Sequence, residues 1–224
     1  MRDVEVIELY GGCCDRASFD DVFRWGVDLQ EGVFQEGFSC YLVNLLDTND
    51  WFHDKEDFYP RFLKFLETLG EESFCFGAYR RGSRNEGNVF YTVEVSIAGK
   101  HWRDQVEEEL VRRAKNLEIR DDNNNPGNPS WIEYADKNYY WSKNGLWGAY
   151  GTYEWESLAF AFKTKVIKES FLDALGSESR FFRPFDAAIE KFMAYYYEQQ
   201  KPRSIKIEFL KKAFENFRRY YADE

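Results

Sequence analysis

The sequence predicts an α+β fold, a mainly antiparallel sheet flanked by amphipathic helices, with a helical C-terminal portion. Three observations carry that prediction. Two stretches, 73–97 and 139–151, read as paired strands around polar turns. Helical spacing of apolar residues recurs at 58–69, at 102–117 and from 167 onward. Aromatic residues make up 19% of the 224 residues, so rings must supply much of the core; each buried ring removes roughly 150–250 Å² from water. The length suits one domain, 1–224, divided into an α/β portion (1–120), a loop and aromatic hairpin (121–160) and a helical portion (161–224) that packs back on it.

Each element has its own grounds. VEVIELY (4–10) reads as a short strand, and the nearly unbroken apolar run FSCYLVNLL (38–46) as a central strand buried on both faces. Between them, SFDDVFRWGVDLQ can start a helix, but Gly26 and Gly32 weaken any long one. Asp54 is placed to cap the next helix, which carries Phe58, Phe62, Phe65, Leu66 and Leu69 on one face and stops at Gly70. Pro60 lies in its first two turns, about as deep as proline is tolerated.

SFCFGAYR (73–80) and NVFYTVEVSI (88–97) form the first strand pair. In the second strand Val89, Tyr91, Val93, Val95 and Ile97 share one face, and Thr92, Glu94 and Ser96 share the other, which should be wet. HWRDQVEEELVRRAKNL (101–117) is an amphipathic helix with Trp102, Val106, Leu110, Ala114 and Leu117 inward. Its outer face offers the pairs Glu108–Arg112 and Glu109–Arg113. DDNNNPGNPS (121–130) is a turn-rich loop. WIEYA, NYYW, the turn SKNG and LWGAYG make the aromatic hairpin, with Asn144–Gly145 as its turn signal. Beyond Glu154 the pattern reads as helical: Ile167, Phe171 and Leu175 align, and Pro184 opens a helix with Phe185, Ile189, Phe192 and Tyr196. Ser204 caps a last helix, with Leu210, Ala213, Phe214, Phe217 and Tyr221 inward and Lys211, Lys212, Arg218 and Arg219 outward.

No motif fixes a reaction. GxGxxG, Walker A, GxSxG and HExxH are all absent, and His53 and His101 are the only histidines. The best catalytic candidate is the cluster Asp47, Asp50, His53 and Asp54, where oxygens and one imidazole suit Mn, Mg or Zn and would make the chain a metal-dependent hydrolase. A solvated loop capping the next helix is the plainer explanation and is preferred. The basic loop RRGSRNEG, with Arg80, Arg81 and Arg84, is read as a wet hairpin tip rather than a phosphate site. No cofactor is implied.

Cys13, Cys14, Cys40 and Cys75 lack CxxC spacing, and a bridge between the adjacent pair would close a strained ring; free thiols are expected. With acidic groups in the first residues and no apolar run of membrane-spanning length, the expected location is cytoplasmic.

Charge points further. The net charge is -10, and residues 1–60 hold all of it, with 14 acidic against 4 basic side chains; the remainder holds 26 of each. Residues 201–224 lean the other way, seven basic to four acidic. Such a field repels nucleic acid and anionic membrane and steers a basic protein. The expected role is a non-catalytic protein-binding module, most concretely a bacterial immunity-type protein that neutralises a basic toxin or effector. Asp15, Asp20, Asp21, Asp28, Glu31 and Glu36 would supply the acidic surface. Strand alternation puts rings on both faces of the aromatic hairpin, so Tyr140, Tyr150 and Tyr153 are candidate anchors unless the chain's own helices cover them. Glycan stacking on exposed rings is a weaker alternative.

Overall fold

Apolar side chains at alternate positions build a seven-stranded sheet from segments spread along the chain. The computed structural model describes residues 6–9, 14–45, 58–80, 88–117, 135–152, 157–199 and 204–221. The strands are β1 (Val6–Leu9), β2 (Cys40–Leu45), β3 (Ser73–Arg80), β4 (Asn88–Ser96), β5 (Lys137–Trp141), β6 (Trp147–Thr152) and β7 (Ser157–Phe162). Their order is β1-β4-β3-β5-β6-β7-β2. Only the β1–β4 pair is parallel, with Val6 opposite Asn88; every other pair is antiparallel. The helices are α1 (Arg16–Asp20), α2 (Phe58–Thr68), α3 (Trp102–Leu117), α4 (Lys165–Leu175), α5 (Phe185–Gln199) and α6 (Ser204–Tyr220). An α+β class with a mainly antiparallel sheet and C-terminal helices is what the sequence predicts.

Both faces of the sheet are covered. On the first, Phe62 and Phe65 of α2, Trp102 and Val106 of α3 and Phe171 of α4 pack on Phe76, Tyr140, Trp147 and Phe160. On the second, Phe19, Val22, Phe23 and Phe34 of the segment 14–38 and Phe214 and Phe217 of α6 pack on Tyr139, Trp141, Tyr150, Ala159 and Ala161. Odd and even residues of β2 to β7 therefore enter different cores, the period-two consequence of the pleat. Small residues set the depth of the second face: Gly148 of β6 lies under Val22 and Phe23.

Several expectations need correction. The run 38–46 forms β2, an edge strand rather than a central one. It is apolar on both faces because α5 packs beside it, and its free edge is closed by Arg183, which exchanges two backbone hydrogen bonds with Val43 (2.8 and 3.1 Å). Covering an edge in this way hides donors and acceptors that would otherwise recruit another strand. Ser157–Phe162 is not the start of a helix; SLAFAF is β7, whose large side chains enter the first core and whose alanines enter the second. The second face of β4 is not wet throughout. Thr92 is buried and its hydroxyl donates to the Cys14 carbonyl, leaving Glu94 half-buried and Ser96 exposed. On α3 Arg112 pairs with Glu109 and not with Glu108, which pairs with Lys100 ahead of the helix; the side chain of Arg113, the other expected partner of Glu109, lies outside the described residues. Arg103–Glu107 is an i, i+4 pair on this helix.

The thiols are not all free. Cys14 and Cys75 are bonded, joining the start of the 14–38 segment to β3, while Cys40 is a buried free thiol. The 61-residue separation gives no local sign of that pairing. Among the described residues no helix is long and apolar enough to cross a membrane. The Asp54 cap, the loops 81–87 and 121–130 and the segment WIEY (131–134) lie outside the described residues.

Candidate functional site

The segment 14–38 carries its apolar side chains into the second core and its charges outward. It holds Asp15, Asp20, Asp21, Asp28, Glu31 and Glu36 against Arg16 and Arg24. All six carboxylates except the half-buried Asp28 are exposed. Some have local work. Asp15 accepts from the Ser18 amide at 2.8 Å and caps α1. Asp20 accepts from Arg16 at 2.8 Å. Glu31 accepts from the Asp28 amide at 3.2 Å. Among the described residues, Asp21 and Glu36 make no ion pair.

The two arginines are engaged inside the layer, Arg16 with Asp20 and over the Trp25 ring, Arg24 with the carbonyls of Glu31 and Gly32. Asp28 is the one carboxylate turned inward, where it pairs with Lys137 and accepts from the Tyr150 hydroxyl at 2.9 Å. Among the described residues, none of the six is paired with a cation of α6; Arg218 pairs with Asp186 instead. The layer is nevertheless fixed at the C-terminal end of α6, because Tyr221, the next residue, donates to the Leu29 carbonyl and accepts from the Val33 amide at 3.0 Å.

Two of the three tyrosine anchors, Tyr140 and Tyr150, must be withdrawn from the surface. Tyr140 and Tyr150 are 1% and 0% exposed, the first against Phe76 and Trp102, the second against Tyr139. Helices and the 14–38 segment cover both faces of β5 and β6, so Tyr139, Tyr140, Trp141, Trp147 and Tyr150 fill cores. Burial raises the hydroxyl pKa of both. Tyr153 lies outside the described residues, as do Asp47, Asp50, His53 and Asp54. Among the described residues no group of three or more His, Cys, Asp or Glu is arranged to hold a metal ion.

One feature is invisible in the sequence. Glu71, in the turn between α2 and β3, is 5% exposed; it accepts from the Ser142 hydroxyl through one oxygen and from the Trp147 indole N–H at 3.1 Å through the other. Burial pushes its carboxyl above the ordinary value, against the lowering effect of both donors and of Lys143. This buried acid ties the end of α2 to the β5–β6 turn, and beside it opens a polar cleft of about 500 Å³. Glu94 accepts there from the Ser73 hydroxyl and the Lys143 ammonium, both at 2.7 Å. Gln105 is held by the Ser96 backbone and the Lys100 carbonyl. The adjacent pair Glu71–Glu72 after a helix-ending glycine was the only sign available, and it reads as ordinary turn polarity. The chain matches no protein-family model, no curated protein and no solved structure.

Proposed function

We propose that the protein is a non-catalytic binding module whose 14–38 layer docks a basic protein, in its most concrete form an immunity-type protein of a bacterial cell that neutralises a cationic toxin or effector. One observation carries the reading: five exposed carboxylates lie on the outside of this layer, and its only two cations are engaged within it. An excess of like charge on one layer accelerates encounter with a partner of opposite sign and disfavours nucleic acid and anionic membrane. Tyr140 and Tyr150, being buried, do not serve as anchors. The cytoplasmic location expected from free thiols loses that support to the Cys14–Cys75 bond, and the binding proposal does not depend on the compartment.

The test uses Asp20→Lys, Asp21→Lys and Glu36→Lys together, since none of these side chains is buried. The wild-type protein is used to capture partners from its native host at low salt, and the captured protein is then purified and titrated. A basic partner is expected, with affinity that falls steeply with salt and an on-rate at least about tenfold slower for the triple variant. Affinity that is flat across salt and unaffected by the charge reversals would refute the proposal.

A further inference from the structure

We infer that the β5–β6 turn is a modification site, where Asn144 is converted through a cyclic imide to aspartate and isoaspartate. The reaction needs no partner and does not depend on the binding reading above. The chain holds one Asn–Gly pair, 144–145, and the fold sets its asparagine in the open. Among the described residues the Asn144 side-chain amide makes no hydrogen bond; its backbone N–H donates to the Ser142 hydroxyl at 3.2 Å. Gly145 has a φ of +62° and no Cβ to crowd the nitrogen that must attack.

Water is the only co-reactant. The Gly145 nitrogen, having lost its proton to solvent hydroxide, bonds to Asn144 Cγ. The Cγ–Nδ2 bond breaks, and the leaving nitrogen takes up a proton and departs as ammonia. Water then opens the imide ring at one of its two carbonyls. Opening at the side-chain carbonyl gives aspartate; opening at the backbone carbonyl gives isoaspartate, in which the main chain runs through the former side chain.

Two neighbours act on the rate in opposite senses. The Gly145 N–H donates to the Ser142 carbonyl at 3.0 Å, so its nitrogen attacks only when the turn opens. Lys143 and Asn144 are both exposed, so this opening is a local event that uncovers little apolar surface. Lys163 favours the attack. Its backbone N–H donates to the Leu146 carbonyl at 3.0 Å, and its ammonium lies 3.4 Å from where a Cβ on Gly145 would stand. A positive charge there stabilises the deprotonated nitrogen, and afterwards the carboxylate of the product.

Conversion changes the edge of the acidic layer. It adds a negative charge to a turn whose Gly145 lies beside Asp21, since a Cβ on that glycine would be 3.8 Å from Cβ of Asp21. The isoaspartate form also lengthens the backbone by a carbon, next to the Ser142 hydroxyl that donates to Glu71.

The test incubates the full-length folded protein in mildly alkaline buffer beside a sample unfolded in guanidinium chloride. Both are digested with pepsin in acid, where the reaction is slow. Residue 144 is followed by the mass gain of amide-to-acid conversion and by labelling with an isoaspartyl methyltransferase. Conversion at 144 in the folded protein is expected, and none in Asn144→Gln. Lys163→Met should slow it about threefold in the folded protein, the size of one poorly screened charge, and leave the unfolded rate unchanged. A folded chain that stays intact at 144 while the unfolded chain converts overturns the inference, because the turn is then closed to attack. Equal folded rates for Lys163→Met and wild type overturn the role given to Lys163.

Discussion

Gly148 lies directly beneath Val22: a Cβ added to the glycine would come within 2.3 Å of the valine Cγ1. The second core is set at this contact, where the 14–38 segment rests on β6 with no side chain between. Gly148→Ala should therefore destabilise by about 1–3 kcal/mol, the usual range for overpacking. Val22→Ala alone should also destabilise, through a cavity. Combining them should cost less than the sum, since the alanine at 22 withdraws the clashing methyl. Urea midpoints of the four proteins measure this coupling, and strict additivity would show that the segment moves away freely.

Glu71 makes stability depend on pH. Its folded pKa is raised above the ordinary 4.5, so the native chain holds a proton there that the unfolded chain has already released. Stability from this group is complete below pH 4.5 and falls as pH rises through the folded pKa. Glu71→Gln has no such loss. Its Oε1 can accept from Trp147 while its amide faces the Ser142 hydroxyl, which can accept in turn. The stability of the variant relative to wild type should grow as pH rises from about 4.5. Denaturant melts across that window test the sign, and a relative stability that falls would contradict it.

Tyr221→Phe removes one hydroxyl that serves two buried backbone groups, the Leu29 carbonyl and the Val33 amide. Leaving such groups without a partner costs about 1–3 kcal/mol. The loss should be concentrated in the 29–33 stretch, with faster amide exchange at Val33 than at the β3–β4 pair. Uniform acceleration would mean that the hydroxyl holds nothing local.

Reduction should weaken the protein through the unfolded state. Opening the Cys14–Cys75 bond frees a loop with a sequence separation of 61, worth up to about 4 kcal/mol in the chain-entropy account. Cys14→Ser/Cys75→Ser should lower the thermal midpoint and make it insensitive to dithiothreitol, whereas the wild type should respond. Equal response in both proteins would point to Cys40 or another thiol.

Legibility in the sequence followed how local the physics is. Helix α2 could be read from Phe58, Phe62, Phe65 and Leu66, and the β5–β6 turn from Asn144–Gly145, because each pattern reports neighbours a few residues away. Gly145 indeed has a φ of +62°. SLAFAF was missed as a strand because burial on both faces erases polar alternation; the signal that remained was one of size, Leu158, Phe160 and Phe162 against Ala159 and Ala161. That Val43 would lie at an edge, that Cys14 would meet Cys75 and that Glu71 would be enclosed by Ser142 and Trp147 all depend on contacts far apart in the chain. The acidic character of 14–38 was evident from composition, but which carboxylates stay exposed was not. Asp28 looked like its neighbours until Lys137 and Tyr150 were found facing it.

The strand order carries a consequence for synthesis. β1 and β2, which come before the other five strands of the sheet in the sequence, flank it on opposite sides and pair with β4 and β7. Cys40–Leu45 must wait for Ser157–Phe162, more than a hundred residues later. Strands β3 to β7 need only one another. β1 and β2 therefore stay without their sheet neighbours until much of the later polypeptide has left the ribosome, and the middle of the sheet must assemble before its edges.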